Sequence, residues 1–293
     1  VSGLRFKKTM RWRPGSDSVT FSRPIRWLVS LLGSDVLPFA YAGVDAGRES
    51  RGLRPYCRQF LPIPDATGYP ELMAKYQIMI RPVERREFIA MEAQRLAAEV
   101  GGTIPEDLAL LYEVANLVEN PTVFRGRFDP EYLKLPHEVL VSVMKKHQRY
   151  FPIEKDDGSG LLPNFVVVCN GENKDKSLVV QGNEDVLRAR YADATYFVKA
   201  DREKKLSDFR DDLSGLTFQT ELGSMLDKQV RLEKLVVQLS DLLQLSGPET
   251  DTVKRAAGLA KNDLVTAMVV EMTSLQGVLG EVYALDSGED KAV

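Results

Sequence analysis

Residues 161–205 read LLPNFVVVCNGENKDKSLVVQGNEDVLRARYADATYFVKADREKK, and this stretch decides the class of fold. Phe165 to Cys169 is rich in β-branched residues, which is typical of an interior strand. Asn183 to Lys205 has apolar residues at helical spacing, and the preceding Gly182 with Asn183 predicts a helix N-cap at Asn183. One strand followed by one long helix, without regular repetition of the pair, favours an α+β fold over a parallel α/β fold.

The residues before this stretch predict further short strands and helices. Ile25 to Leu32 and Val36 to Ala42 flank a Gly-containing turn, which predicts a hairpin. Pro70 to Val100 and Glu106 to Val118 have helical spacing, and Gly101 with Gly102 predicts the end of the first helical run. We therefore expect an α+β module with a mixed or antiparallel sheet.

The residues after this stretch lose the strand pattern beyond Leu213. Apolar residues from Leu232 to Leu243 and from Val253 to Ala284 predict helices, with a break at Gly277 or Gly280. We expect an α+β module over residues 1–208 and the beginning of a truncated all-helical domain over residues 209–293.

The composition excludes several classes of protein. The chain has 293 residues, with 39 Lys and Arg against 42 Asp and Glu, so its net charge of −3 does not fit a sequence-blind polyanion binder. Two cysteines are too few for a disulfide framework. No apolar stretch approaches the roughly 20 residues that span a bilayer. The chain begins at Val1 without Met, and we expect it to be a piece of a larger protein.

Few residues have the chemistry of a catalytic centre. The chain has two histidines, His137 and His147, and it contains no Walker or dinucleotide-binding glycine motif. The paired acids lie in or near predicted turns, where solvation and capping explain them. We therefore predict no catalytic and no metal-binding residue. His147 lies beside Lys145, Lys146 and Arg149, which suits either a phosphate or base contact or a loop-ordering role.

Basic and aromatic residues alternate near the start of the chain. The first 26 residues contain seven Lys and Arg against one Asp, with Trp12, Phe21 and Trp27 close to the arginines. Guanidinium groups bind phosphates and aromatic rings stack on bases, so this pattern indicates a local nucleic-acid contact. The alternative is that Trp12 and Trp27 are core anchors while the arginines pair with acids.

Several segments, in order, resemble the β subunit of bacterial-type heterotetrameric glycyl-tRNA synthetase. The matching stretches are Met10–Trp12, Phe21–Trp27, Ser50–Gly52, Leu110–Glu119, Leu135–Leu140 with Met144, His147–Phe151, Leu162–Phe165, Gly182–Arg190 with Asp193 and Ala194, Leu222–Ser224 with Asp227 and Lys228, and Leu259–Gly280. The resemblance covers nearly the whole chain. The chain departs from it at residues 51–55, where the family commonly reads Arg-Gly-His-Arg-Phe and this chain reads RGLRP.

The resemblance implies that the α and β subunits have different roles. The α subunit of that family makes the glycyl adenylate, so ATP and Mg²⁺ are expected there and no cofactor is expected in this piece. Residues 1–208 would be similar to the tRNA-facing central module of the phenylalanyl-tRNA synthetase β chain, and residues 209–293 would begin an HD-like domain. No His follows His147, so we expect no HD-type metal centre. The implied location is the bacterial cytoplasm or, alternatively, a chloroplast or mitochondrion.

The leading hypothesis from the resemblance is a non-catalytic tRNA-binding part that contacts the acceptor arm of tRNA(Gly), the α subunit and the other β domains. The expected backbone contacts are Arg11, Arg23, Arg26, Arg51, Arg54, Arg188, Lys199, Lys228 and Arg231, with Trp12 and His147 as base or stacking contacts. A second hypothesis is an assembly module that docks the α subunit without touching tRNA. A third, hydrolytic editing of mischarged tRNA, lacks an identifiable nucleophile or base.

Overall fold

The computed structural model describes residues 1, 3–11, 19–54, 57, 59–172 and 175–293. The strands in these residues are β1 Met10–Arg11, β2 Thr20–Phe21, β3 Leu28–Val29, β4 Leu31–Leu32, β5 Asp35–Val36, β6 Ala40–Tyr41, β7 Val44–Gly47, β8 Glu49–Arg51, β9 Phe60–Pro62, β10 Gly102–Thr103, β11 Pro121–Arg127, β12 Phe151–Lys155, β13 Leu161–Asn170, β14 Thr217–Gln219 and β15 Gly223–Ser224. The α-helices are α1 Tyr69–Lys75, α2 Pro82–Ala98, α3 Leu108–Leu117, α4 His137–Ser142, α5 Lys176–Asp201, α6 Met225–Leu242, α7 Gly247–Leu259, α8 Ala267–Glu271 and α9 Val278–Asp286.

These elements form two compact units. The first contains Val1–Glu92, Asp107–Val123 and Val168–Lys174, and the second contains Ala93–Glu106, Phe124–Val167 and Asp175–Val293. Both units combine strands with helices, which confirms the predicted α+β class. The predicted boundary after residue 208 and the HD-like character of the last residues stay predictions.

The first unit is built from very short strands. β7 pairs in parallel with β3 and antiparallel with β6, so this three-stranded sheet is mixed. The predicted hairpin is confirmed around Gly33, where Leu31 lies opposite Val36 and Gly33 has a φ of +57°. The hairpin is shorter than predicted, because the outer residues of both arms pair with β7 instead.

The long helical stretch predicted over residues 70–100 is interrupted. It forms two helices, α1 and α2, because Pro82 has no N–H to donate and suits the first turn of a new helix. The predicted stop is confirmed at Gly101, which has a φ of +72°. Buried Ile89 of α2 and buried Leu110 and Val114 of α3 contribute to the core.

Most residues of a four-stranded sheet in the order β10-β12-β13-β11 belong to the second unit. β12 runs antiparallel to β10 and β13, with Phe151 opposite Val166. The predicted interior strand is therefore confirmed within β13, where Phe165 is fully buried. Helix α5 buries Leu187, Tyr191 and Ala194 along one stripe, as the spacing predicts.

The predicted N-cap at Asn183 is wrong. Helix α5 begins at Lys176, and its N-cap is Asp175, whose carboxylate accepts a hydrogen bond of 3.0 Å from the N–H of Leu178. Asn183 lies inside the helix, seven residues after its first residue, and its side chain has other partners. It accepts a hydrogen bond of 2.6 Å from the Tyr150 hydroxyl and donates one of 2.7 Å to the Val179 carbonyl.

The expectation of purely helical structure beyond Leu213 is also wrong. β14 and β15 form a small antiparallel hairpin, with Thr217 opposite Ser224. The two strands have three and two residues, which is too short for an alternating pattern to be visible. The predicted helices follow, and the break at Gly277 is confirmed by its φ of +79° before α9. Within the described ranges, each helix is either too short or too polar to span a bilayer.

Candidate nucleic-acid interface

The predicted cations of the first unit are mostly exposed. Arg11 lies in β1 opposite Thr20, and Arg23 and Arg26 follow β2. Arg54 is also exposed, three residues after β8. Within the described part of the chain, no carboxylate lies within ion-pair distance of these four side chains. Trp12, the predicted stacking residue, lies outside the described residues.

Arg51 differs from these four because it contacts aromatic rings. Its guanidinium carbon lies 4.1 Å from the ring centroid of Phe60 and 5.6 Å from that of Trp27. Arg51 and Phe60 are direct cross-strand partners in β8 and β9, so the strand register brings them together. Trp27 is half-buried, and its ring contacts the Arg51 guanidinium. This contact is compatible with both alternatives for Trp27, a stacking group and a structural anchor.

Helix α5 places two predicted residues on one flank. Arg188 and Lys199 are eleven residues apart, which in a continuous α-helix is close to three turns. Arg188 forms an exposed ion pair of 2.5 Å with Asp185. Lys199 is exposed and has no ion-pair partner among the described residues.

A cavity of about 390 Å³ lies beside Arg188 in the second unit. It is lined by Arg127, Phe128, Asp129, Pro130, Glu184 and Arg188. The Glu184 carboxylate accepts a hydrogen bond of 2.9 Å from the backbone N–H of Arg127, which fixes the end of β11 beside α5. The sequence does not point to Arg127, because Arg127 comes next to Arg188 only through the packing of β11 against α5.

His147 lies in an unusual helical turn. Residues Val143–Gln148 form a π-helix that continues α4, and Arg149 ends it in the left-handed region with a φ of +57°. Burial lowers the pKa of His147 below its ordinary value, and the positive charges of Arg190, Arg149 and Lys146 lower it further. The nearby Glu271 carboxylate opposes this shift of the His147 pKa. The neutral imidazole is therefore the main form at pH 7, and its charged neighbours are these three cations and Glu271.

Lys228 and Arg231, both on α6, contact the hairpin that the sequence did not predict. The Lys228 ammonium lies 4.0 Å from the ring centroid of Phe218 in β14. The Arg231 guanidinium donates a hydrogen bond of 2.9 Å to the carbonyl of Leu222. Both side chains thus hold the hairpin against α6, and a nucleic-acid role for them stays a prediction.

The described residues contain no group of three or more His, Cys, Asp or Glu that could hold a metal ion. Asp263 of the predicted HD-like region is buried, and burial raises the pKa of its carboxyl. Its Oδ2 accepts a hydrogen bond of 2.5 Å from the N–H of Gly277. The Asp263 carboxylate therefore has a structural role, because it binds the N–H of the residue that precedes α9.

Comparison with known proteins gives matches along the whole chain. The family model for the glycyl-tRNA synthetase beta subunit matches residues 1–293. The glycine–tRNA ligase beta subunits of Halothermothrix orenii and Bacillus subtilis are 43% and 41% identical over 293 residues. These alignments cover all of this chain and 42% and 43% of those relatives.

A plant protein is equally similar. The Arabidopsis thaliana protein named glycine–tRNA ligase, chloroplastic/mitochondrial 2, is 43% identical over 294 residues, covering all of this chain and 27% of the relative. The chain thus spans about two fifths of the length of the bacterial relatives and a smaller share of the plant one. Because the family model matches from the first residue to the last, the chain belongs to the glycyl-tRNA synthetase beta subunit family.

Proposed function

We propose that this chain is a non-catalytic, tRNA-binding part of the glycyl-tRNA synthetase β subunit. It supports the ATP-dependent attachment of glycine to tRNA(Gly), with ATP and Mg²⁺ bound at the α subunit. Its RNA contact is the acceptor arm, and its protein partners are the α subunit and the remaining β domains. The proposed location is the cytoplasm of a bacterium, with a chloroplast or mitochondrion as the alternative.

One observation carries the proposal of RNA contact. Arg11, Arg23, Arg26, Arg54 and Lys199 are exposed and have no carboxylate partner among the described residues, although acids outnumber bases in the chain. An unpaired surface guanidinium keeps its charge and its donors available for a phosphate. Affinity that rests on such contacts falls steeply as the salt concentration rises.

The test is a retardation assay of the full chain with tRNA(Gly) at several salt concentrations. Replacing Arg23 and Arg26 by Glu should weaken binding and reduce the slope of log K against log salt by about 0.7 to 0.9 for each phosphate that is no longer neutralised. A control with the same charge change is the double replacement of Lys75 and Arg81 by Glu, because both are exposed cations of the same unit outside the predicted set, and Arg81 is already paired with Glu84. Equal binding by the wild type and the Arg23/Arg26 variant at low salt would reject these two residues as phosphate ligands.

A second candidate function, docking of the α subunit, is favoured by an apolar face on α6. Leu235, Leu239 and Leu242 of α6 and its C-cap residue Leu243 lie within about one third of the helix circumference and are 50%, 51%, 77% and 65% exposed. A contiguous exposed apolar patch is typical of a protein interface. This candidate requires no RNA contact by the chain.

Mixing experiments separate the two functions. If α6 docks the α subunit, the chain should co-elute with that subunit in size-exclusion chromatography, and replacing Leu239 and Leu242 by Glu should abolish co-elution. Leu178→Glu is the control, since Leu178 is an equally exposed leucine, at 64%, that belongs to α5 and not to α6. Co-elution that survives the α6 replacements would reject this face as the docking site.

A further inference from the structure

The π-helical turn at residues 143–148 has an irregular backbone. The N–H of Arg149 donates a hydrogen bond of 3.2 Å to the carbonyl of Lys145, and the N–H of Tyr150 donates one of 2.9 Å to the carbonyl of Met144. Arg149 adopts positive φ without being Gly or Asn, and its guanidinium donates to the carbonyls of Lys146 and His147 at 3.0 and 3.4 Å. Turns of this type are costly and are frequently found at functional sites.

Buried side chains and helix α5 anchor this turn. Val143 and Met144 are fully buried, and the turn packs against α5. The Tyr191 hydroxyl of α5 donates a hydrogen bond of 3.2 Å to the carbonyl of Leu140, one turn before the π-helix. Because both sides are anchored, the side chains of Lys146 and His147 are presented from a fixed backbone.

Three side chains on this scaffold form what we call the π-turn cluster: Lys146, His147 and Arg190. Lys146 and Arg190 are exposed, and within the described ranges neither forms an ion pair. Arg190 comes from α5, on the flank opposite Arg188, because residues two apart on an α-helix differ by about 200°. The turn that carries Lys146 and His147 packs against α5, the helix that carries Arg190. Burial lowers the pKa of half-buried His147, the charges of Arg190 and Lys146 lower that pKa further, and the Glu271 carboxylate opposes them.

Lys146 and Arg190 carry like charges that the Glu271 carboxylate offsets in part, and an anion bound between the two cations would relieve the remaining repulsion. A neutral imidazole adds an N–H donor without adding a further charge. Two cations and one neutral donor, presented by the π-helical turn and by α5, are the groups that a phosphate with several acceptor oxygens requires. A nucleobase would instead need a stacking face, and the cluster itself contains no Phe, Tyr or Trp.

We propose that the π-turn cluster binds phosphate groups of an RNA backbone. This inference rests on the proposed RNA-binding function and identifies one place on the chain where it occurs. It adds Lys146 and Arg190 to the contacts expected from the sequence.

The test uses the full chain, tRNA(Gly) and a double variant in which Lys146 and Arg190 are both replaced by Gln. We expect the affinity to fall at least tenfold at 0.1 M salt and the salt slope to become shallower by about 1.4 to 1.8, since two phosphates are no longer neutralised. The control is Lys234→Gln, because Lys234 is an exposed cation on α6 without an ion-pair partner among the described residues. A variant with Lys146→Arg and Arg190→Lys keeps both charges and should bind nearly as tightly as the wild type.

The outcomes distinguish the inference from the function on which it rests. Wild-type binding with an unchanged affinity and salt slope in the Gln variant would overturn the π-turn cluster and leave RNA binding intact. No binding by the wild type would overturn both. Weaker binding with a shallower salt slope in the Gln variant alone, with an unaltered circular dichroism melting curve, would support the cluster.

Discussion

The buried carboxylate of Asp201, at the end of α5, accepts a hydrogen bond of 2.9 Å from the hydroxyl of Tyr283 in α9. The same carboxylate accepts hydrogen bonds of 2.7 and 3.0 Å from the backbone N–H groups of Ala267 and Met268, which begin α8. Asp201 is 4% exposed, so no solvent replaces these bonds if the carboxylate is removed. One side chain therefore satisfies donors from two helices that follow it by more than sixty residues.

Replacing Asp201 by Ala should lower the free energy of unfolding by about 3 kcal/mol, because three buried donors are left without their acceptor. Tyr283→Phe removes one of those bonds and should cost about 1 kcal/mol. Urea unfolding followed by circular dichroism measures both changes. Asp193→Ala is the control on an exposed position of α5, and an equal effect for Asp193 and Asp201 would contradict the structural role of Asp201.

Gly126 in β11 lies against the ring of Phe165, and a Cβ at position 126 would overlap that ring. Phe165 is fully buried and stacks on Tyr150 with 4.7 Å between the ring centroids, so it has no room to move. Gly126→Ala should therefore lower the free energy of unfolding by about 1 to 3 kcal/mol.

Gly182 provides the matched control for Gly126. It lies inside α5, and apart from its chain neighbours and the nearby backbone of that helix, no described atom is within 4 Å of a Cβ added there. Gly182→Ala should raise the free energy of unfolding by about 0.5 to 1 kcal/mol, since Ala is the better helix former. The same denaturation measurement applies, and a Gly126 variant as stable as the wild type would contradict the close packing of β11 on Phe165.

Local signals in the sequence predicted the elements whose causes are local. The turn at Gly33, the helix end at Gly101 and the buried stripe of α5 all follow from backbone freedom or periodicity within a few residues. Asn183 shows the limit of such signals: the helix is capped upstream by Asp175, and the Asn183 side chain instead accepts a bond from Tyr150, 33 positions away. The sequence does not predict the β14–β15 hairpin, because its strands are too short to show an alternation of apolar and polar residues.

Some features of the candidate interface are likewise predictable from local sequence, and others are not. The exposure of Arg11, Arg23 and Arg26 agrees with a charge-rich sequence of high local polarity. The neighbours of Arg188 and His147 were not predictable, because Arg127 and Arg190 reach them through the packing of α5 on β11 and on the π-helical turn. Contacts between elements distant in sequence leave no trace in local composition.

Ser224 caps α6 and joins it to the unpredicted hairpin. Its N–H and its hydroxyl each donate a hydrogen bond of 2.8 Å to the Asp227 carboxylate, and its Oγ accepts one of 3.2 Å from the N–H of Asp227. Ser224→Ala should lower the free energy of unfolding by about 1 kcal/mol, the usual cost of removing an N-cap. Ser224→Thr retains the hydroxyl and should restore most of that stability in the same urea experiment. If Ala and Thr are equivalent at this position, the cap contributes nothing to stability.

The pKa of His147 gives a test of the π-turn cluster that needs no RNA. Burial is the main cause of its lowered pKa, and the charge of Arg190 is the next. Arg190→Gln removes that charge and should raise the His147 pKa toward the ordinary value near 6.5. An NMR titration of the histidine ring resonances measures the change, with His147→Gln used to assign the signal among the two histidines of the chain.

The same shift determines how acid affects stability. The unfolded chain binds a proton at His147 more readily than the folded chain, so the stability contribution is complete above pH 6.5 and is lost as the pH falls through the lowered pKa. Between pH 7.5 and pH 5, His147→Gln should therefore lose less stability than the wild type in urea unfolding. Lys234→Gln, far from these charges in sequence, should leave both the titration and the acid response unchanged. An Arg190→Gln variant with an unaltered His147 titration would show that Arg190 lies too far away to share a phosphate with the imidazole.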